Sequence, residues 1–256
     1  MASIMNRRAL VTGAAGGLAA GVAAALPPDG FERVAITYRT TSPAQTLKAI
    51  EASGAWGDAA RIDFLDDEAT ISGALERLVR DCGPFDTLIH GVGPLVVKRF
   101  ERLTADDYRE TFDGNVRSAI LSTRAVIDGM RSAKFGRIVF FAMLGSNQTY
   151  PFRGFSFYQA AKSALVAFAR CLAIEEARHG ITVNVVAPGD IRDKSLARVQ
   201  ALERTAGNPR GRPGSYEDVS DAVRFLVARD RDFVTGTVLD VTGGLTQADE
   251  RNEPAR

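Results

Sequence analysis

"RALVTGAAGGLAAG", residues 8–21, decides the fold. Arg8–Gly13 is a short apolar run that reads as a strand. The alanine-rich run that follows reads as a helix through about Leu26. Between them, Gly13 allows a tight turn, and Gly16 and Gly17 remove side chains where a ligand must approach the backbone. A helix starting near Gly17 presents unpaired N–H groups and a partial positive charge, which suits a pyrophosphate. A flexible loop also needs glycines, so the turn alone is weak. Its place after the first strand of an alternating chain gives it weight.

That alternation continues outward. Strands are expected at 33–38, 59–63, 85–93, 136–142, 181–189 and 237–244. Helices are expected between them: one capped by Ser42 with Pro43 in the first position, one over 67–82, and long ones over about 104–131 and 156–178. A last helix over 215–228 has Ser215 as N-cap and Asp218 three residues on. Trp56 falls in a turn. Strands rich in Val, Ile and Leu, alternating with helices, imply an α/β fold with a parallel sheet covered on both faces. No linker or repeat interrupts the pattern, so one domain is expected over 1–245, with a polar tail over 246–256.

Among 256 residues, 32 basic against 31 acidic side chains leave a net charge of +1. No strong field points to nucleic acid or an anionic membrane. No apolar run reaches the length of a membrane span, and no apolar leader precedes the first strand. Cys82 and Cys171 lie in apolar helical contexts and read as reduced thiols. The expected location is cytoplasmic.

Thr12-Gly13-x-x-x-Gly17-Leu18-Ala19, Asp63, "HGVG" (90–93), Asn115, Tyr158-x-x-x-Lys162, "APG" (187–189) and "VTGG" (241–244) occur in one order and spacing. In this the chain resembles the short-chain dehydrogenase/reductase family, classical type, over nearly its whole length, and in particular its 3-oxoacyl-(acyl carrier protein) reductase-like branch. The resemblance implies a Rossmann-type doubly wound fold and a homotetramer. It implies a dinucleotide held by Thr12, Gly13, Gly16, Gly17, Leu18, Gly91, Gly93, Pro188, Gly189 and Ile191, with Asp63 and Phe64 at the adenine. Asn115 would support the active site. The family's last motif glycine is Ala19 here, whose methyl fits if the helix–strand packing opens slightly.

Tyr158 and Lys162 stand four apart, on one face of a helix. A nearby ammonium favours phenolate, so Lys162 is expected to lower the pKa of Tyr158 and make it a proton donor or acceptor. In isolation the pair would read as a half-buried tyrosine and a snorkelling lysine. With the resemblance, Tyr158 protonates a carbonyl oxygen as hydride arrives, and Lys162 also holds the nicotinamide ribose.

The family places a serine after the fifth strand. Here Ala142 and Met143 occupy the two serine positions, and neither can donate a hydrogen bond. Ser146, twelve residues before Tyr158, is the expected replacement, with Asn147 and Gln148 as other donors.

After the second strand, "AITYRTTS" (35–42) contains no acid. Arg39 can pair with a 2′-phosphate and Thr40 can add a hydrogen bond, so NADP(H) is favoured over NAD(H). His90 has no partners at metal spacing, so no metal is expected; it packs on the nicotinamide side. The leading expectation is NADPH-dependent reduction of a 3-oxoacyl thioester on acyl carrier protein or CoA. The alternatives are a pteridine or other small carbonyl or imine reductase, and a cofactor-binding sensor or scaffold with weakened catalysis.

Overall fold

Successive residues of β1 (Arg7–Thr12) enter different cores: Leu10 joins one, Ala9 and Val11 the other. The same division runs through the whole computed structural model, which describes residues 6–189, 191 and 193–245. Strand side chains alternate in face. Both faces here are covered, which is why these strands lack a polar alternation.

β2 (Phe31–Tyr38), β3 (Trp56–Arg61), β4 (Thr87–His90), β5 (Gly136–Phe141), β6 (Ile181–Pro188) and β7 (Val238–Val241) complete a seven-stranded sheet of order β3-β2-β1-β4-β5-β6-β7. Every pairing is parallel. Helices α1 (Gly17–Ala25), α2 (Ala44–Ala52) and α8 (Tyr216–Val227) pack on the Val11 face, through residues such as Val22, Ile50 and Val223. Helices α3 (Glu68–Cys82), α5 (Ser118–Ala133) and α6 (Ser156–Glu176) pack on the Leu10 face, through Leu75, Met130 and Leu165. This is the doubly wound Rossmann arrangement. The chain moves from β1 outward to β3, then crosses to β4 on the other side of β1. Connections therefore diverge at the C-terminal ends of β1 and β4 and leave a crevice there.

Several boundaries differ from the sequence expectation. Trp56 opens β3 on the sheet edge and is not in a turn, and Asp63 lies two residues beyond that strand. Pro43, not Ser42, is the N-cap of α2, and the Ser42 hydroxyl accepts only a long contact from the Ala44 amide, 3.4 Å. The helical stretch over 104–131 is broken: α4 (Ala105–Phe112) passes into a π-helical turn, Asp113–Arg117, before α5. The short α7 (Arg198–Leu202) was not expected, because five residues carry too little periodicity. The Ser215–Asp218 capping box of α8 forms as read. The tail expected over 246–256 lies outside the described residues. Among them no helix is long and apolar enough to cross a membrane.

Candidate active site

Two cavities open at the crevice and share Gly13, Gly16, Gly17, Gly91 and Gly93 as a common floor. The wider arm, about 620 Å3, runs under Tyr158, Lys162, Pro188, Gly189 and Ile191, and Leu18 also lines it. The other, about 470 Å3, runs between Arg39–Thr40 and Asp63–Phe64. Together they form one groove with two arms.

The floor needs its glycines. Gly13 has φ of +67°, and a Cβ there would lie 3.0 Å from the Val92 amide nitrogen. A Cβ on Gly91 would come within 2.5 Å of the Ala19 methyl and 2.6 Å of the Thr12 carbonyl oxygen. Space for Ala19 therefore comes from the bare Cα of Gly91, and the helix–strand packing need not open as expected. Around Gly16 a Cβ would find no atom within 4 Å, so this residue faces the open groove.

Thr12 does not line either arm. It is fully buried beneath the turn, where its hydroxyl accepts from the Gly91 amide, 3.2 Å, and meets His90 Nδ1 at 2.9 Å. His90 Nε2 lies 3.0 Å from the Ser118 hydroxyl, which itself donates to the Gly114 carbonyl at 2.7 Å. Ser118 has one proton and gives it to Gly114, so His90 Nε2–H is the donor and Nδ1 accepts from Thr12. A neutral imidazole thus ties the end of β1 to the π-helical turn. Burial, aided by the charge of Lys162, pushes its pKa down to about 3. His90 is a strut under the groove and does not face the nicotinamide arm as expected.

Tyr158 and Lys162 lie on the first turns of α6, and both reach the wider arm. The Lys162 ammonium donates to the Phe141 carbonyl at 2.7 Å and sits 5.5 Å from the centroid of the Tyr158 ring. Burial pushes the phenol up to about 12, and Lys162's charge does not counter it. Burial also brings Lys162 down to about 7, with the charge of Lys194 adding to the effect. The expected lowering of Tyr158 is absent here. The ammonium is committed to a backbone carbonyl, and desolvation dominates both groups.

Asn115 lies in the π-helical turn, fully buried, and lines neither arm. Its amide donates to the Thr111 and Pro94 carbonyls at 2.8 and 3.1 Å, while Oδ1 is buried without a partner. A Cβ on Gly93 would stand 2.9 Å from Lys162 Nζ and 3.0 Å from Asn115 Oδ1. Both polar atoms therefore converge on this glycine from below.

Ser146 is a correction. It is buried, its hydroxyl accepts from the Met143 amide at 3.3 Å, and it lines neither arm. As an acceptor the hydroxyl holds a tight turn after β5, away from both arms. Asn147 accepts from Arg170 at 2.6 Å, and neither it nor Gln148 reaches the groove. Phe141, Met143, Leu144, Phe152 and Phe155 line the wider arm instead. Among the described residues that line it, Tyr158 carries the only side-chain hydroxyl. Sequence reading missed this apolar wall, and it missed Lys194, which lies against Gly17.

The groove fits a dinucleotide. It has two arms, a glycine floor at a helix N-terminus, Lys162 and Tyr158 in the wider arm, and Arg39 at the far end of the other.

Comparison with known proteins agrees with this geometry. A family profile described as Enoyl-(Acyl carrier protein) reductase matches residues 13–246. The 3-oxoacyl-[acyl-carrier-protein] reductase FabG of Haemophilus influenzae is 33% identical over 247 residues, 94% of this chain and 99% of that one. Acetoin dehydrogenase from Enterobacter cloacae superposes with a TM-score of 0.86 at 26% identity, covering 98% of this chain and 100% of its own. A blue fluorescent protein from a metagenomic library, solved in complex with NADPH, gives 0.81 at 30% identity over 94% and 98%.

Proposed function

The chain belongs to the short-chain dehydrogenase/reductase family, and we propose that it uses NADPH to reduce the ketone of a 3-oxoacyl thioester carried on acyl carrier protein or CoA. It is an NAD(P)-dependent oxidoreductase by membership; the substrate and the choice of cofactor are our reading. One observation carries it: among the described residues a single side-chain hydroxyl, that of Tyr158, stands in an apolar arm backed by a buried lysine.

Bound in the groove, NADPH supplies the hydride to the carbonyl carbon. Tyr158, protonated at neutral pH, gives its proton to the carbonyl oxygen. Lys162 holds the ribose hydroxyls and, when charged, stabilises the phenolate left behind. Asn115 positions the turn under both. Phe141, Met143 and Phe155 exclude water and give a saturated acyl chain an apolar surface to lie on. In the other arm Asp63 and Phe64 take the adenine. Arg39 and Thr40 take the 2′-phosphate. Arg61, whose side chain donates to the Arg39 carbonyl at 3.0 Å, adds positive charge at the same edge.

Among the described residues no second side-chain hydroxyl lines the wider arm, and that costs rate. One oxyanion donor is worth roughly 10²–10³. That favours one second reading, a cofactor-binding protein with slow turnover. NADPH oxidation followed at 340 nm with acetoacetyl thioesters, pteridines and simple ketones separates the readings. Fastest turnover with the thioesters is expected. Tight NADPH binding with no turnover on any carbonyl would favour the second reading. The exposed side chains of Ile174 on α6, 82%, and Tyr108 on α4, 50%, support assembly as a homotetramer through these helices. The cytoplasm is the location we assign.

A further inference from the structure

Lys194, six residues after the end of β6, lies against the glycine turn. The stem of Lys194 lies over Gly17: its Cδ and Cβ are 3.5 and 3.7 Å from where a Gly17 Cβ would be. The ammonium is two bonds beyond that Cδ. Lys194 lines the same arm as Gly13, Gly16 and Gly17. Gly17 opens α1, which has no acidic residue in its first turn and no side-chain cap. A helix N-terminus and a lysine thus share one small volume, with no negative charge between them among the described residues.

The neighbouring carboxylate does not neutralise this lysine. Asp193 accepts from the Ser195 amide and hydroxyl at 3.0 and 2.7 Å and faces Arg204 at 3.9 Å. Among the described residues Lys194 has no ion-pair partner. It is close enough to the reacting end of the groove for Lys162 to feel its charge. Two like charges in one cleft, one of them buried, are unfavourable unless an anion separates them.

We propose that Lys194 is the side-chain cation of the dinucleotide's pyrophosphate site, closing over the anion from the side opposite the α1 N-terminus. This rests on the reading of the groove as a dinucleotide site. It assigns to a residue after β6 the contact that the glycine turn, having no basic side chain, cannot make. It also couples the two ends of the groove. A pyrophosphate that neutralises Lys194 removes a charge that opposes protonation of Lys162, so cofactor occupancy readies Lys162 for its role beside Tyr158.

The test is binding, not turnover. The full chain is titrated with NADPH by nicotinamide fluorescence, and by calorimetry with 2′-phospho-ADP-ribose, which has the pyrophosphate, and adenosine 2′-monophosphate, which lacks it. Lys194→Ala should bind the first two roughly ten-fold more weakly, the lower end for a contact to a charged group. It should bind the third within two-fold of the wild type, and Lys194→Arg should recover most of the loss. Unchanged affinity for the pyrophosphate ligands in Lys194→Ala overturns the proposal, as does an equal loss for all three. A wild-type protein that binds no dinucleotide overturns the groove reading, and this one with it. Lys194 is exposed, so the variant retains its fold, which thermal melting checks.

Discussion

His90 should give the protein a stability that depends on pH within a defined window. Its folded pKa is pushed from 6.5 to about 3, mainly by burial, and in the unfolded chain it returns to the ordinary value. Between those values the unfolded state binds a proton that the folded state refuses. Stability is then present in full above about pH 6.5 and is lost as pH falls, at about 1.4 kcal/mol per unit. From pH 6.5 to 5 the loss is roughly 2 kcal/mol. Carboxylates held low by partners, such as Asp218 beside Arg212, lose their contribution only in more acid solution. Lys162 acts on the other side: its folded pKa of about 7 makes stability rise with pH above that value. Asp240, pushed up by burial, has the opposite sign, so a variant comparison is needed to isolate the histidine. His90→Asn keeps a donor and an acceptor between Thr12 and Ser118 and has no proton to lose. Urea unfolding at fixed protein concentration should give a wild-type slope that the variant lacks. Far-UV circular dichroism is the proper signal, because Trp56, the sole tryptophan, is 73% exposed and a poor reporter. Equal slopes in the two proteins from pH 5 to 6.5 would refute the buried neutral imidazole.

Tyr158→Phe should lower turnover by several orders of magnitude and leave the NADPH dissociation constant within about three-fold, because only the proton donor is removed; single-turnover kinetics and a fluorescence titration check the two halves. Arg39→Glu should weaken NADPH at least roughly ten-fold more than NADH, since the new carboxylate faces the 2′-phosphate alone; an equal loss for both cofactors would place Arg39 elsewhere. Ser146→Ala should leave kcat within a few-fold and lower stability by roughly 1 kcal/mol, the worth of its bond from the Met143 amide; a hundred-fold loss of kcat would restore Ser146 as a substrate donor.

What was legible in the sequence was what depends on near neighbours. The turn at Gly13–Gly17, the same-face spacing of Tyr158 and Lys162, and the Ser215–Asp218 capping box are local patterns, and the chain folds them where they are read. Ser146 was misplaced because its orientation depends on a hydrogen bond formed only when the chain after β5 turns tightly. Spacing placed it near Tyr158, but spacing does not say where a hydroxyl points. The same limit applies to the ionisation of the pair. Four residues of separation put Lys162 beside Tyr158. The distance from ammonium to phenol, and the burial that outweighs it, come from β5, whose Phe141 carbonyl claims the lysine. Lys194 carried no motif, and the HGVG motif containing His90 gave no sign that its imidazole is a strut. One matters because of a loop's path over Gly17, the other because β1 and β4 end side by side, Thr12 opposite His90.

The ionisation of Tyr158 also bears on direction. Reduction uses the phenol as an acid, and with its pKa at about 12 that form is present throughout the neutral range. Alcohol oxidation needs the phenolate as a base. At pH 7.5 only about one site in 10⁴–10⁵ would hold it, and the fraction rises ten-fold per pH unit. A charged Lys162 improves those odds, but near its own value of about 7 the lysine is losing its proton as the tyrosine would need help. If Tyr158 is the proton-transfer group, as proposed, this ionisation favours reduction, although the overall equilibrium belongs to substrate and cofactor. The expected result is a reduction rate with no tyrosine limb between pH 6 and 9, declining at most with the single proton of Lys162. Oxidation of the corresponding alcohol should climb close to ten-fold per unit over pH 7–9. Both are read as kcat/KM at saturating cofactor in one buffer series. An oxidation rate independent of pH in that range would mean that the phenolate is already formed near neutrality, and that the lysine, once the groove is filled, overcomes the burial of Tyr158.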